Sequence, residues 1–89
     1  MLEPWRLLLA AVHFDRRDWG VTEARLYLLS HGMTAAYDLA ADRDTLCFPQ
    51  LPAPPRAGGP PFLVPLQTES GQRLMLVLCR VGALTQRVL

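Results

Sequence analysis

The stretch "EPWRLLLAAVHF", residues 3–14, decides what kind of fold the chain builds. As a helix it opens an α+β protein; as a strand it adds a member to a sheet. Glu3 and Pro4 begin it, and proline suits the first turn of a helix, where its missing donor is not needed. Trp5, Leu8, Leu9 and Val12 recur at helical spacing, with Arg6 and His13 off that face. The spacing predicts a helix over about 3–14. Nearly every residue from 7 to 12 is apolar, which keeps a strand as the alternative.

Beyond it, Asp15 to Gly20 reads as a charged turn. Thr22 is placed to cap a second helix, with Glu23 in its first turn. Ala24, Leu26, Leu28 and Leu29 carry that helix to His31 and Gly32, a C-terminal pair, giving a span of about 22–31. The next stretch, "MTAAYDLAADRDTLCF", residues 33–48, fits two patterns. Met33, Ala36 and Ala40 continue a helical stripe. At period two, Tyr37 pairs with Leu39 and Leu46 with Phe48, around a turn at Asp42-Arg43-Asp44. The aromatic alternation favours the hairpin.

The clearest hairpin joins Phe62–Thr68 to Arg73–Val81 through Glu69-Ser70-Gly71. Pro65 cannot donate to a ladder, which places its strand at an edge or a bulge. Leu74 to Cys79 is apolar on both faces, the mark of a central strand covered on both sides. The expected fold is therefore α+β: N-terminal helices packed on a small antiparallel sheet that ends in a C-terminal hairpin. A winged-helix outline is the alternative, with residues 34–44 as recognition helix and 62–81 as wing. That helix would carry three aspartates and one arginine, which phosphates repel.

Between the two hairpins lies "FPQLPAPPRAGGPPFLVP", residues 48–65, with seven of the eight prolines. Such a stretch populates polyproline II, a pre-extended ligand shape. Phe48-Pro49-Gln50-Leu51-Pro52 resembles the Phe-Pro-x-hydrophobe-Pro core read by one class of proline-binding domains. Arg56 directly follows Pro55, one position short of the basic residue in common SH3 ligands. A semi-rigid surface loop at about 49–61 within one domain, residues 1–89, is the simpler reading. Phe48, Pro49, Leu51 and Pro52 stand as candidate contacts.

Composition narrows the class. At 89 residues one domain is expected. Hydrophobic content of 51% supports a core and argues against disorder. A net charge of +1 argues against a protein built to hold nucleic acid. Lys, Ile and Asn are absent, which points to a GC-rich genome, so arginine here is no sign of bidentate chemistry. Cys47 and Cys79 are expected as reduced thiols. The apolar run at Leu7–Val12 lacks the flanks of a signal peptide, and none approaches the ~18 residues of a membrane helix. A soluble, cytoplasmic protein is expected.

Catalytic and metal groupings are thin. His13, Asp15 and Asp18 form a candidate metal set, or His13 and Asp15 an orienting pair, yet nothing joins them at ligand spacing. Asp42-Arg43-Asp44 lacks the Gly and Glu of a calcium loop. Ser30 adjoins His31, but helix neighbours do not face each other. Ser70 lies in a turn, and Gly58-Gly59 is not a phosphate loop. No cofactor and no metal are expected. A small enzyme would have to use His13, His31 or Cys47. A nucleic-acid binder would use Arg16, Arg17, Arg25 and Arg73. The favoured reading is a small non-enzymatic protein-binding or regulatory module, binding itself as a homodimer and a further protein, without nucleic acid or membrane. Met75, Val77 and Cys79 face away from Leu74, Leu76 and Leu78, and two short helices cover only one side. Met75, Val77 and Trp5 are the expected seam.

Overall fold

The computed structural model describes residues 5–52 and 60–82. They form a five-stranded antiparallel sheet with one helix: β1 (Trp5–Asp15), α1 (Val21–Ser30), β2 (Ala40–Ala41), β3 (Thr45–Pro49), β4 (Phe62–Gln67) and β5 (Arg73–Gly82). The spatial order is β2-β3-β1-β5-β4.

The first segment is a strand and not a helix, and it is the middle strand of the sheet. This overturns the expectation of N-terminal helices packed on a sheet: the described residues are mostly sheet, with a single short helix. The winged-helix outline fails as well, because residues 34–44 contain no helix and the β2–β3 hairpin begins there. The physical reason is two-sided hydrophobicity. A surface helix needs a polar outer stripe, and Leu7–Val12 offers none, whereas a central strand accommodates apolar residues on both faces. β1 pairs with β5 from Trp5↔Gly82 to Phe14↔Leu74, and with β3 from Ala11↔Pro49 to Asp15↔Thr45.

A register break explains the misleading helical spacing. Leu9 pairs with Leu78 but Ala11 with Val77, which leaves Ala10 as a bulge whose carbonyl accepts from Gln50 N at 2.8 Å. An extra residue shifts the parity of the strand. Leu9 and Val12, three apart, therefore share the core face, as they would on a helix.

That core face carries Val12 and Phe14 of β1, Leu46 and Phe48 of β3, and Leu74 of β5. Trp19, Ala24 and Leu28 come down on it from the turn and α1. The Phe14 ring is the hub, edge-on to Trp19 at 4.8 Å, Phe48 at 5.5 Å and Tyr27 at 6.0 Å. The helix lies where its sequence places it, but Gly20, not Thr22, is its N-cap. Gly32, at φ 76°, closes it, and Met33 N donates to Leu28 O at 2.8 Å.

The turn at Asp42–Asp44 forms as the period-two pattern predicts, with Asp42 Oδ1 accepting from Asp44 N and Thr45 N at 2.8 Å each. Only Ala40 and Ala41 pair beyond it. The Gln50 amide holds the Thr34 backbone in both directions, at 3.0 and 2.8 Å. β4 is an edge strand. Thr68 N donates to Gln72 O at 2.9 Å, and the antiparallel alternation from that pair turns the Pro65 nitrogen to the free edge.

Two groups clasp the start of β5. The Trp19 indole donates to Arg73 O at 2.8 Å, and Asp18 Oδ2 accepts from Arg73 N at 2.8 Å. Trp19→Phe removes the first bond and leaves a carbonyl unpaired. The folded state should lose ~1–2 kcal/mol for the hydrogen bond, with packing losses added. The denaturation midpoint then falls at unchanged slope; an unshifted midpoint would show that this bond does not hold the helix in place.

Candidate interaction face

The sheet has a second face, and strand alternation fixes what stands on it. Val12, Phe14 and Leu74 point into the core, so Ala11, His13, Met75 and Val77 point away. Two rows cross the sheet there: Cys47–His13–Met75–Pro65, then Pro49–Ala11–Val77–Leu63. Leu8 and Cys79 continue the face beyond the bulge. No described helix lies over these rows. Their central members are half-buried, and Leu63 is 56% exposed.

Met75 and Val77 thus sit together at the middle of this face. Pro49 joins the Val77 row, half-buried. Phe48 points the other way and is 1% exposed, in the core. Leu51 is half-buried and Pro52 exposed; residues 53–59 of the proline stretch lie outside the described residues. Trp5 stands opposite Gly82 at the far end of β1, and its side chain is not among those described.

A polar end borders the apolar rows. Asp15 Oδ1 accepts from Arg17 N at 2.9 Å and Nε at 3.1 Å, and Oδ2 from Arg17 Nη2 at 2.8 Å. Arg73 Nη2 stands 3.6 Å from Oδ2. The Arg17 side chain and backbone are the main cause that lowers the Asp15 pKa to about 2. Asp18 is lowered too, first by its hydrogen bonds from the Arg73 side chain. Arg16 Nη1 donates to Asp42 O at 2.6 Å. Of the four candidate phosphate-binding arginines, Arg16, Arg17 and Arg73 therefore engage acceptors of this chain, while Arg25 is exposed on α1.

These bonds also settle what His13 and Asp15 share. Both line an open concavity of about 350 Å³ with Thr45, Arg73 and Met75. Asp15 spends both oxygens on Arg17, and no hydrogen bond joins it to His13. His13 also borders a smaller hollow of about 220 Å³ with Asp42 and Cys47. Burial pushes the Cys47 thiol up, which favours the protonated, unreactive form. Cys47 and Cys79 are both free. No three His, Cys, Asp or Glu side chains among the described residues come together as a metal site.

Ser30 and His31 do meet, with Oγ 3.1 Å from Nδ1, because His31 is the C-cap and leaves helical geometry. The contact is a cap and not a nucleophile–base pair. Nδ1 lies 2.8 Å from Tyr27 O; a carbonyl only accepts, so Nδ1 carries the proton and cannot take one from Ser30. The His31 ring stacks on Tyr27 at 4.0 Å. The Gly32 that follows His31 was the sequence signal for this cap.

No family model matches the chain, and no curated protein and no solved structure matches it. No helix among the described residues is long and apolar enough to cross a membrane.

The carboxylates set an acid limit. Asp15 and Asp18 titrate lower in the folded protein than the ~3.9 of an unfolded aspartate. As pH falls the unfolded chain takes protons first, so their stabilisation is present above about pH 4 and is lost toward pH 2. Calorimetry over that range should show a falling melting temperature, and a flatter fall in a D15N/D18N variant that is less stable at neutral pH. An equal slope in the variant would remove these two groups as the cause.

Proposed function

We propose that the protein is a small non-enzymatic module that acts through protein contacts on the open face of its sheet. The observation that carries this reading is how few polar side chains stand in its two central rows, where His13 is the one polar ring. An antiparallel sheet with one wet face shows polar residues on that side, whereas Leu8, Ala11, Met75, Val77 and Leu63 occupy it here. A contiguous apolar surface of this kind marks an interaction site. The hydrogen bonds that commit Asp15, and the protonated Nδ1 of His31, support a reading without catalysis. The compartment expected is the cytoplasm, in keeping with two free thiols.

An apolar fluorescent dye should bind the dilute native protein and be displaced by Val77→Arg, with the circular dichroism spectrum unchanged. Equal dye binding by both proteins would place the apolar surface elsewhere and end this reading.

The proline stretch is assigned the role of connection. A Gly/Ser linker of equal length in place of residues 52–60 should leave the spectrum and dye binding as they are, because loop closure changes little at constant length. Some stability should be lost, since proline restricts the unfolded chain. Outright unfolding would mean that the stretch packs into the core.

A further inference from the structure

We infer that the layer covering the open face is a second copy of this chain, packed sheet to sheet about a two-fold axis; this rests on the protein-contact reading. Area is the first argument. Four strands at ~4.8 Å spacing and about eight residues at ~3.3 Å give on the order of 500 Å² per copy. Doubled, this reaches ~1,000 Å², the lower bound of a specific interface. The assembly is therefore a dimer of modest affinity, forming in the micromolar range.

Self-complementarity is the second. A two-fold contact brings the same patch of each copy together, and two sheets pack ~10 Å apart with strands within about 30°. The apolar rows satisfy this, with His13 their one ionisable ring. Two charged pairs stand at one border, Asp15 with Arg17 and Asp18 with Arg73, and the exposed Arg6, two residues before Leu8 on the same face, stands at the opposite border. Stacking two copies thus opposes no charged side chain within the two central rows, and a net charge of +1 per chain adds little repulsion. The third argument is the edge. Pro65 removes an outward donor from the middle of β4, which disfavours growth by strand addition and leaves the face as the route.

The two native cysteines report on this surface, since Cys47 and Cys79 both stand on it. Sedimentation should show the mass doubling from 9.9 kDa as concentration rises through the micromolar range. At ten times the dissociation constant, the rate of thiol modification by an aromatic disulfide should fall roughly fivefold with the monomer fraction. Val77→Arg and, separately, Met75→Arg should stay monomeric, keep the native spectrum and react at the fast rate throughout. A monomer with fast thiols at every concentration overturns the second copy while leaving the face open to a different protein. A monomer with slow thiols shows the chain covering its own face, and removes both readings. A dimer that persists in both variants uses another surface and overturns the inference.

Discussion

Arg73 is where the fold is tied together. Its amide donates to the Asp18 carboxylate and its carbonyl accepts from the Trp19 indole, so the turn after β1 grips both polar groups of one residue on the neighbouring strand. Gln72 adds to the grip, with Nε2 donating to Asp18 O at 3.1 Å and to Glu23 Oε2 at 2.8 Å. A ten-residue helix is marginal by itself in water. Held at its entry by this clasp, α1 has one side of the sheet to fall on, and Leu28 and Ala24 join Phe14 in the core there.

The consequence is asymmetry. Among the described residues eight apolar side chains are buried, all on the helix side or in the turn that leads to it, as a small domain with a limited core allows. Segment 33–39 extends the cover through Met33, Ala35 and Leu39, again on that side. α1 itself is not saturated with contacts: Leu26 and Leu29 are 63% and 60% exposed. Leu26 lines the broad groove between α1 and the β4–β5 turn, so the helix layer has apolar area to spare, while no described helix lies on the other face of the sheet.

Much of this was legible in the residues, and the failures have particular causes. α1 could be read because Glu23 suits its first turn and the His31-Gly32 pair ends it, although the cap is Gly20 and not Thr22. The 62–81 hairpin could be read because Gly71, at φ 90°, turns it and two-sided hydrophobicity marks β5. The same two-sided pattern in Leu7–Val12 was outweighed by Pro4 and by spacings of three and four, and the bulge at Ala10 is what makes those spacings compatible with a strand. No local rule signals a bulge at an alanine. The clasp was equally hidden: Asp18 and Arg73 lie 55 residues apart, and Asp18 read locally as part of a charged turn or a metal set. Asp15 and Arg17, two apart, could be paired only once the end of β1 was known, since the turn brings the guanidinium back onto the carboxylate. That pairing decides the candidate site, because it removes the acid that His13 needs for chemistry.

Polar residues are not scarce in the chain, which gives meaning to their scarcity in the two central rows of the open face, where His13 is the one polar ring. The surface of α1 carries Thr22, Glu23, Arg25 and Ser30, and the turns carry aspartate and arginine. On β5, by contrast, the positions opposite the core read Met75, Val77 and Cys79, each of which could be threonine or arginine without disturbing Leu74, Leu76 or Leu78. Strand propensity does not force the choice, for threonine suits a pleated surface as well as valine. The flanking strands obey the same rule in the same rows, with Leu63 beside Val77 and Ala11 between Val77 and Pro49. Apolar residues aligned across four separate strands are not the product of one hydrophobic run in the sequence. Their alignment is a property of the surface, and water is a poor neighbour for it.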